Sequence, residues 1–118
     1  MNTNPLPQVH IEHDIEKLLE RLEKVTHELA RRAVAAAEAE HAYKIAYAQQ
    51  LLLAKAAAVG PVVLCEATAL VACETLHLER LTTAAVRHGA EEAGRNARAA
   101  CDALRSLNSN HRALVAGS

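Results

Sequence analysis

Aromatic side chains are almost absent from this sequence, which has two tyrosines, no phenylalanine and no tryptophan in 118 residues. Hydrophobic residues nevertheless make up 51% of the chain, and alanine supplies much of that share. Alanine buries little area, and apolar burial stabilises a fold by only about 25 cal/mol per Å². A single copy would therefore have a thin core, so we expect the chain to complete its core by binding other chains.

Glycine and proline are also scarce, and none lies between Gln8 and Val59. That stretch is rich in Ala, Leu, Glu, Lys and Arg, the best helix formers. Gly60 and Pro61 are suited to end one helix and begin the next. The sequence therefore predicts an all-α, antiparallel, coiled-coil-like hairpin, with helices over residues 8–59 and 62–107 and a turn at residues 60–61. We expect an extended leader at residues 1–7 and a tail at residues 108–118.

Apolar residues recur at alternating intervals of three and four, the spacing of a coiled-coil seam. Because both helices rise by about 1.5 Å per residue, residues whose numbers add to about 120 should lie opposite each other. Large side chains would then face small ones, with Leu78 and Leu81 opposite Ala42 and Ala39. We expect two such hairpins to form a four-helix bundle. The predicted seam runs through Leu18, Leu22, Val25, Leu29, Ala36, Ala39, Tyr43 and Ala46, and through Ala90, Ala93, Ala97, Ala100, Leu104 and Leu107.

Several function classes lack their usual sequence signals. The net charge is −1, so no overall field favours nucleic acid or an anionic membrane. The three cysteines form no Cys-x-x-Cys pair, and the start of the chain has no apolar signal region, which favours a cytoplasmic protein with reduced thiols. There is no phosphate-binding glycine loop and no Gly-x-Ser-x-Gly motif. We therefore expect neither an enzyme nor a cofactor.

The middle of the chain is unusually apolar, since Lys55 and Glu66 are its only charged residues between Ile45 and Cys73. Two paired helices bury one stripe each, so the remaining apolar side chains must contact something else. A second hairpin is the simplest interpretation, and a different protein is another. A membrane hairpin is disfavoured, because neither helix has an uninterrupted apolar span of about 20 residues. The candidate interface residues are Leu51, Leu52, Leu53, Val62, Val63, Leu64 and Leu70.

Two further patterns keep alternative functions open. Two Glu-x-x-His pairs, Glu38/His41 and Glu74/His77, have the spacing used in ferritin-like metal sites, although their levels along the hairpin do not match. An arginine stripe in the second helix has the charge to contact a phosphate backbone, but no aromatic residue interleaves for base stacking. The same arginines could instead pair with acidic residues of the first helix. The stripe consists of Arg95, Arg98, Arg105 and Arg112.

Four segments resemble small helical proteins encoded by actinobacterial phages and prophages. They read AAAEAEHAYKIAYA from residue 35, LLLAK from 51, LHLERL from 76 and ALRSLNSNHRAL from 103. The resemblance covers about residues 29–115 and implies a phage accessory protein made inside the host cell, with no assigned activity. The helical hairpins of type VII secretion carry Trp-x-Gly at the bend, which this chain lacks. We therefore expect a non-enzymatic, oligomeric phage adaptor in the host cytoplasm, binding itself and a host or phage protein.

Overall fold

The structure, a computed structural model, describes residues 8–117, and the predicted leader lies outside them. Helix α1 spans Gln8–Ala56, α2 spans Val62–Ala72 and α3 spans Glu74–Ala116. No strand occurs within residues 8–117, so the predicted all-α class is confirmed. The chain divides into two compact units, one of Met1–Leu29 with Ala90–Ser118 and one of Ala30–Gly89. The single hairpin and its pairing into a four-helix bundle stay predictions.

In the first unit, the start of α1 and the end of α3 run antiparallel. The Arg112 guanidinium donates a hydrogen bond of 2.6 Å to Glu12 Oε1, near one end of the unit. Gly94 lies beside Val25, because a Cβ added to the glycine would be 3.7 Å from Val25 Cγ1. Ile11 is the one large aliphatic side chain buried in the described part of this unit.

The seam of α3 differs from the predicted one. Ala97 is buried, as expected, but Ala93, Ala100 and Leu107 are exposed. Gly94 and Cys101 are buried in their place. Both series have alternating spacings of three and four, and small residues occupy most positions of each. The apolar pattern therefore could not distinguish two helix faces that differ by one residue.

In the second unit, the end of α1 runs antiparallel to the start of α3. Arg80 Nε lies 2.7 Å from Glu40 Oε2, and the rings of Tyr43 and His77 have centroids 5.0 Å apart. Both pairs have the predicted register. Leu78 and Leu81, which were expected to pack in the seam against alanines, are instead 64% and 51% exposed. Polar and aromatic side chains occupy the inner positions at this level instead.

The connection after α1 is a Schellman motif centred on an alanine. Ala58 N–H donates to Lys55 O at 3.1 Å and Val59 N–H donates to Ala54 O at 3.2 Å. Ala58 has a φ of 54°, the left-handed conformation that glycine usually supplies at this position. Helix α1 therefore ends at Ala56 rather than at residue 59, and Gly60 is not its cap. Pro61 is the N-cap of α2, one residue before its predicted role as the first helical residue.

The second predicted helix is divided at Cys73. Its φ of −104° and ψ of 17° depart from helical values, and its N–H is shared between Ala69 O and Leu70 O. Helix α3 then begins at Glu74, and His77 N–H donates to Cys73 O at 2.8 Å. No glycine or proline lies within this stretch, so its composition gives no signal for the break.

Helix α3 continues to Ala116, so the tail predicted at residues 108–118 is wrong for residues 108–116. Asparagine and serine disfavour a helix interior by only a few tenths of a kcal/mol each. That cost is offset where Asn108 and His111 are half-buried and where Arg112 pairs with Glu12. Gly117, whose N–H donates to Ala113 O at 2.9 Å, follows the last helical turn.

Small residues make up most of the interior. Within residues 9–117, Ile11 and Tyr43 are the only buried hydrophobic residues larger than cysteine. Small interior residues let helices approach closely, but each buries little apolar area. Most of the large aliphatic side chains are exposed, and most of the others are only half-buried. The other buried hydrophobic residues are Ala36, Ala54, Cys65, Ala69, Cys73, Ala97 and Cys101.

Candidate interaction surface

The seven candidate interface residues all lie in the second unit, on both sides of the connection between α1 and α2. We call them the apolar patch: Leu51, Leu52, Leu53, Val62, Val63, Leu64 and Leu70. Leu51 is half-buried and the other six are exposed. Val63 is 77% exposed, Leu52 68% and Leu53 61%, so these side chains pack against almost nothing within the chain.

The exposed apolar surface extends beyond the predicted residues. Val71 and Leu78 are 72% and 64% exposed, and five other large apolar residues of this unit are exposed as well. Sequence reasoning had assigned Leu78 and Leu81 to the seam, which is why it missed them. The contact between Tyr43 and His77 identifies them, because it shows which face of α3 is turned towards α1. Leu78 and Leu81 lie away from that face. The five others are Val34, Ile45, Val59, Leu81 and Val86.

Two charged side chains lie among these apolar residues. Lys55 and Glu66 are both exposed, and neither forms an ion pair with another described residue. Lys55 follows Leu52 by three residues and Leu51 by four, so the three share one face of α1. Glu66 stands in the same relation to Val63 and Val62 on α2.

A cluster of polar and aromatic residues surrounds the buried Tyr43 ring in the same unit. The Arg80 guanidinium carbon lies 4.7 Å from the Tyr43 ring centroid, in cation–π geometry, while Arg80 also pairs with Glu40. Lys44 contacts the second Glu40 oxygen at 3.4 Å. His77 Nδ1 is buried and has no hydrogen-bond partner among the described residues. Polar residues at inner positions favour one helix register over its neighbours.

Tyr47 extends this cluster. Its ring centroid lies 5.9 Å from that of Tyr43, and its side chain is half-buried. Partial burial raises the pKa of the Tyr47 hydroxyl above its ordinary value of 10.0, and Glu66, Tyr43 and Cys73 act in the same direction. The cluster therefore disfavours negative charge at this position.

The arginine stripe lies in the first unit, and only its end is engaged with α1. Arg112 pairs with Glu12 at 2.6 Å. Arg95, Arg98 and Arg105 are exposed and form no ion pair with another described residue. The alternative interpretation, in which acidic residues of α1 neutralise the whole stripe, is therefore wrong for these three.

The two Glu-x-x-His pairs do not converge. Glu38, His41 and Glu74 are exposed, whereas His77 packs against Tyr43. Within residues 8–117, no group of three or more His, Cys, Asp or Glu side chains is arranged to hold a metal ion. The three cysteines are unpaired and buried at separate points of the interior.

Residues 8–117 also contain no helix with an apolar stretch of the length needed to cross a lipid bilayer. No family model, curated protein or solved structure matches the chain. Its function is therefore inferred from its own residues.

Proposed function

We propose that this chain is a non-enzymatic helical adaptor that works as a homo-oligomer, most simply a dimer with a four-helix core, assembled through the apolar patch. The supporting observation is an inverted distribution of side-chain size in the second unit. Alanines and cysteines fill its interior, while leucines and valines cover its outside. Exposed apolar surface of this extent is typical of protein interaction sites.

The magnitudes favour association. Burying the exposed part of a leucine or valine stabilises a complex by on the order of 1–2 kcal/mol. The six exposed members of the apolar patch would contribute about 6–12 kcal/mol, and Val71 and Leu78 add to that. Association itself costs at least about 4 kcal/mol in lost translational and rotational freedom. With Val71 and Leu78 included, the balance of about 4–12 kcal/mol corresponds to a dissociation constant between about 1 mM and about 1 nM, with the micromolar range at its centre.

The setting comes from the sequence resemblance alone. Following it, we take the protein to act in the cytoplasm of a phage-infected bacterium. A host or phage protein would then be its second partner, bound after or alongside self-association. The proposed role is to hold such a partner, because exposed apolar side chains of this extent are suited to binding another protein.

The test is a pair of glutamate substitutions within the patch, Leu52→Glu and Val63→Glu, made together. Both side chains are exposed, so the helices should keep most of their content by circular dichroism. Burying two carboxylates at an apolar interface should weaken association by at least about 100-fold. Light scattering at tens of micromolar should then give the monomer mass of 12.7 kDa.

The matched control places the same two changes in the first unit, as Val9→Glu with Leu114→Glu. These side chains are 66% and 71% exposed, so the control adds the same charge at similar exposure. It should retain the oligomer mass. A patch variant that keeps the wild-type mass would contradict the proposal.

A second candidate function, an accessory role in nucleic-acid transactions, is favoured by the unpaired arginines. Arg95, Arg98 and Arg105 are exposed and carry charge that α1 does not neutralise. Binding to single-stranded DNA that weakens steeply with salt and is lost in Arg98→Ala with Arg105→Ala would support it. The adaptor proposal predicts no such binding.

A further inference from the structure

Lys55 and Glu66 lie at the same level of the second unit. Lys55 precedes Gly60 by five residues and Glu66 follows it by six. The contacts Glu40–Arg80 and Tyr43–His77 show that residues equally far from Gly60 lie opposite each other in this unit. Each charge is surrounded on its own helix by members of the apolar patch, and neither is neutralised by an ion pair within the chain.

Two-fold symmetry allows two simple ways of packing a second copy on this surface. If the axis runs parallel to the helices, α1 of each copy lies over α2 of the other at the same level. Lys55 then meets Glu66 of the second copy, twice per dimer. If the axis runs across the helices at the level of these two residues, α1 lies over α1, and like charges meet within an apolar interface. Such contacts are strongly unfavourable.

We infer that the partner of the apolar patch is a second copy of this chain, related by an axis parallel to the helices, and that reciprocal Lys55–Glu66 pairs select this arrangement. The inference rests on the proposed self-association and adds its geometry and its specificity-determining residues. Charged pairs in an interface contribute more to register and partner choice than to affinity. The two residues thus exclude the crossed arrangement and shifted registers.

The test uses charge reversal in the full-length protein. Lys55→Glu carries two negative charges at the interface, and Glu66→Lys carries two positive charges. Each variant alone should dimerise at least about tenfold more weakly than wild type at low salt. An equimolar mixture should form a heterodimer, seen as the mixed mass in native mass spectrometry, with affinity within about threefold of wild type. The double variant in one chain should also dimerise.

Matched controls reverse the charges of Lys17 and Glu20, which are exposed in the first unit. Lys17→Glu and Glu20→Lys change net charge equally and should leave dimerisation unchanged. If wild type is dimeric but the Lys55 and Glu66 variants dimerise normally, or their mixture forms no heterodimer, the pairing is wrong and self-association stands. A monomeric wild type would overturn both.

Discussion

Ala58 adopts a backbone conformation that is unfavourable for any side chain with a Cβ. Its φ of 54° lies in the left-handed region, where alanine is disfavoured relative to glycine by about 1 kcal/mol. The two hydrogen bonds of the Schellman motif, from Ala58 and Val59, hold it there. The left-handed conformation at Ala58 is therefore stabilised by these hydrogen bonds and not by the backbone preference of alanine. The connection between α1 and α2, on which the apolar patch depends, relies on them.

Ala58→Gly should stabilise the protein, because glycine removes the Cβ penalty while keeping both hydrogen bonds. We expect a gain of about 0.5–1 kcal/mol, or a rise of a few degrees in Tm by calorimetry. Ala99→Gly, at an exposed position within α3, is the control and should lower stability by about 1 kcal/mol. A loss of stability in Ala58→Gly would contradict the left-handed cap.

Tyr47 gives the fold a specific sensitivity to alkali. Its hydroxyl pKa is raised above 10.0 in the folded chain, so the folded state retains this proton more strongly than the unfolded state. The contribution to stability is therefore complete below pH 10.0 and decreases as pH rises from 10.0 through the folded pKa. In urea titrations between pH 9 and 11, Tyr47→Phe should lose less stability than wild type. Equal slopes would show that Tyr47 does not carry the effect.

At the scale of the helices, Tyr43 is the main large contact of the second unit. It is 9% exposed and contacts His77, Tyr47 and Arg80, whereas the other buried residues around it are small. The aromatic ring thus contributes much of the apolar burial that holds α1 against α3 at this level. The Glu40–Arg80 pair, which is about one-third exposed on each side, contributes about 0–1 kcal/mol.

Tyr43→Ala should destabilise the protein by about 3 kcal/mol, since it leaves a cavity where no neighbour can fill the space. Tyr43→Phe keeps the ring and should cost less than about 1 kcal/mol. Urea denaturation of both variants at equal protein concentration measures the difference. Similar losses for the two variants would mean that the hydroxyl, and not the ring, is the important group.

The sequence predicted the helices better than it predicted their faces. The long interval without glycine or proline indicated α1 correctly, and the apolar stretch around residues 45–73 indicated the patch. The break at Cys73 has no local signal, because no glycine or proline lies between residues 62 and 88. Leu78 and Leu81 were predicted to face α1 because two different seams fit the same three-and-four spacing, one with leucines against alanines and one with His77 against Tyr43. The sequence spacing does not distinguish the two seams, whereas the contacts between the helices do.

The arginine stripe is a second case in which the sequence predicted the helices but not the contacts between them. Opposite charges on facing helices predicted a row of ion pairs, but within the arginine stripe only Arg112 pairs with an acidic residue of α1. Long side chains form an ion pair only when the two residues lie side by side where the helices meet. An exposed ion pair contributes too little free energy to shift the helices into such a position. The distribution of charge along the sequence therefore predicted which helices face each other more reliably than it predicted which side chains form ion pairs.

At the scale of the whole molecule, the chain contains much apolar surface and little apolar interior. Buried residues are mostly alanine and cysteine, while Leu52, Leu53 and Val63 remain more than 60% exposed. A second copy would supply the missing core, and folding stability would then include the free energy of association. This connects the composition, which is rich in alanine and poor in aromatics, to the proposed function, which depends on self-association.

The measurement that tests this account most directly is the solution mass of the wild-type protein by light scattering, from about 1 to 100 µM, a range that brackets the expected dissociation constant. We predict a mass of twice 12.7 kDa, or a higher multiple, at the upper concentrations, with dissociation towards the lower end. A constant mass of 12.7 kDa across the whole range would contradict the central claim. The apolar patch would then belong to a different partner.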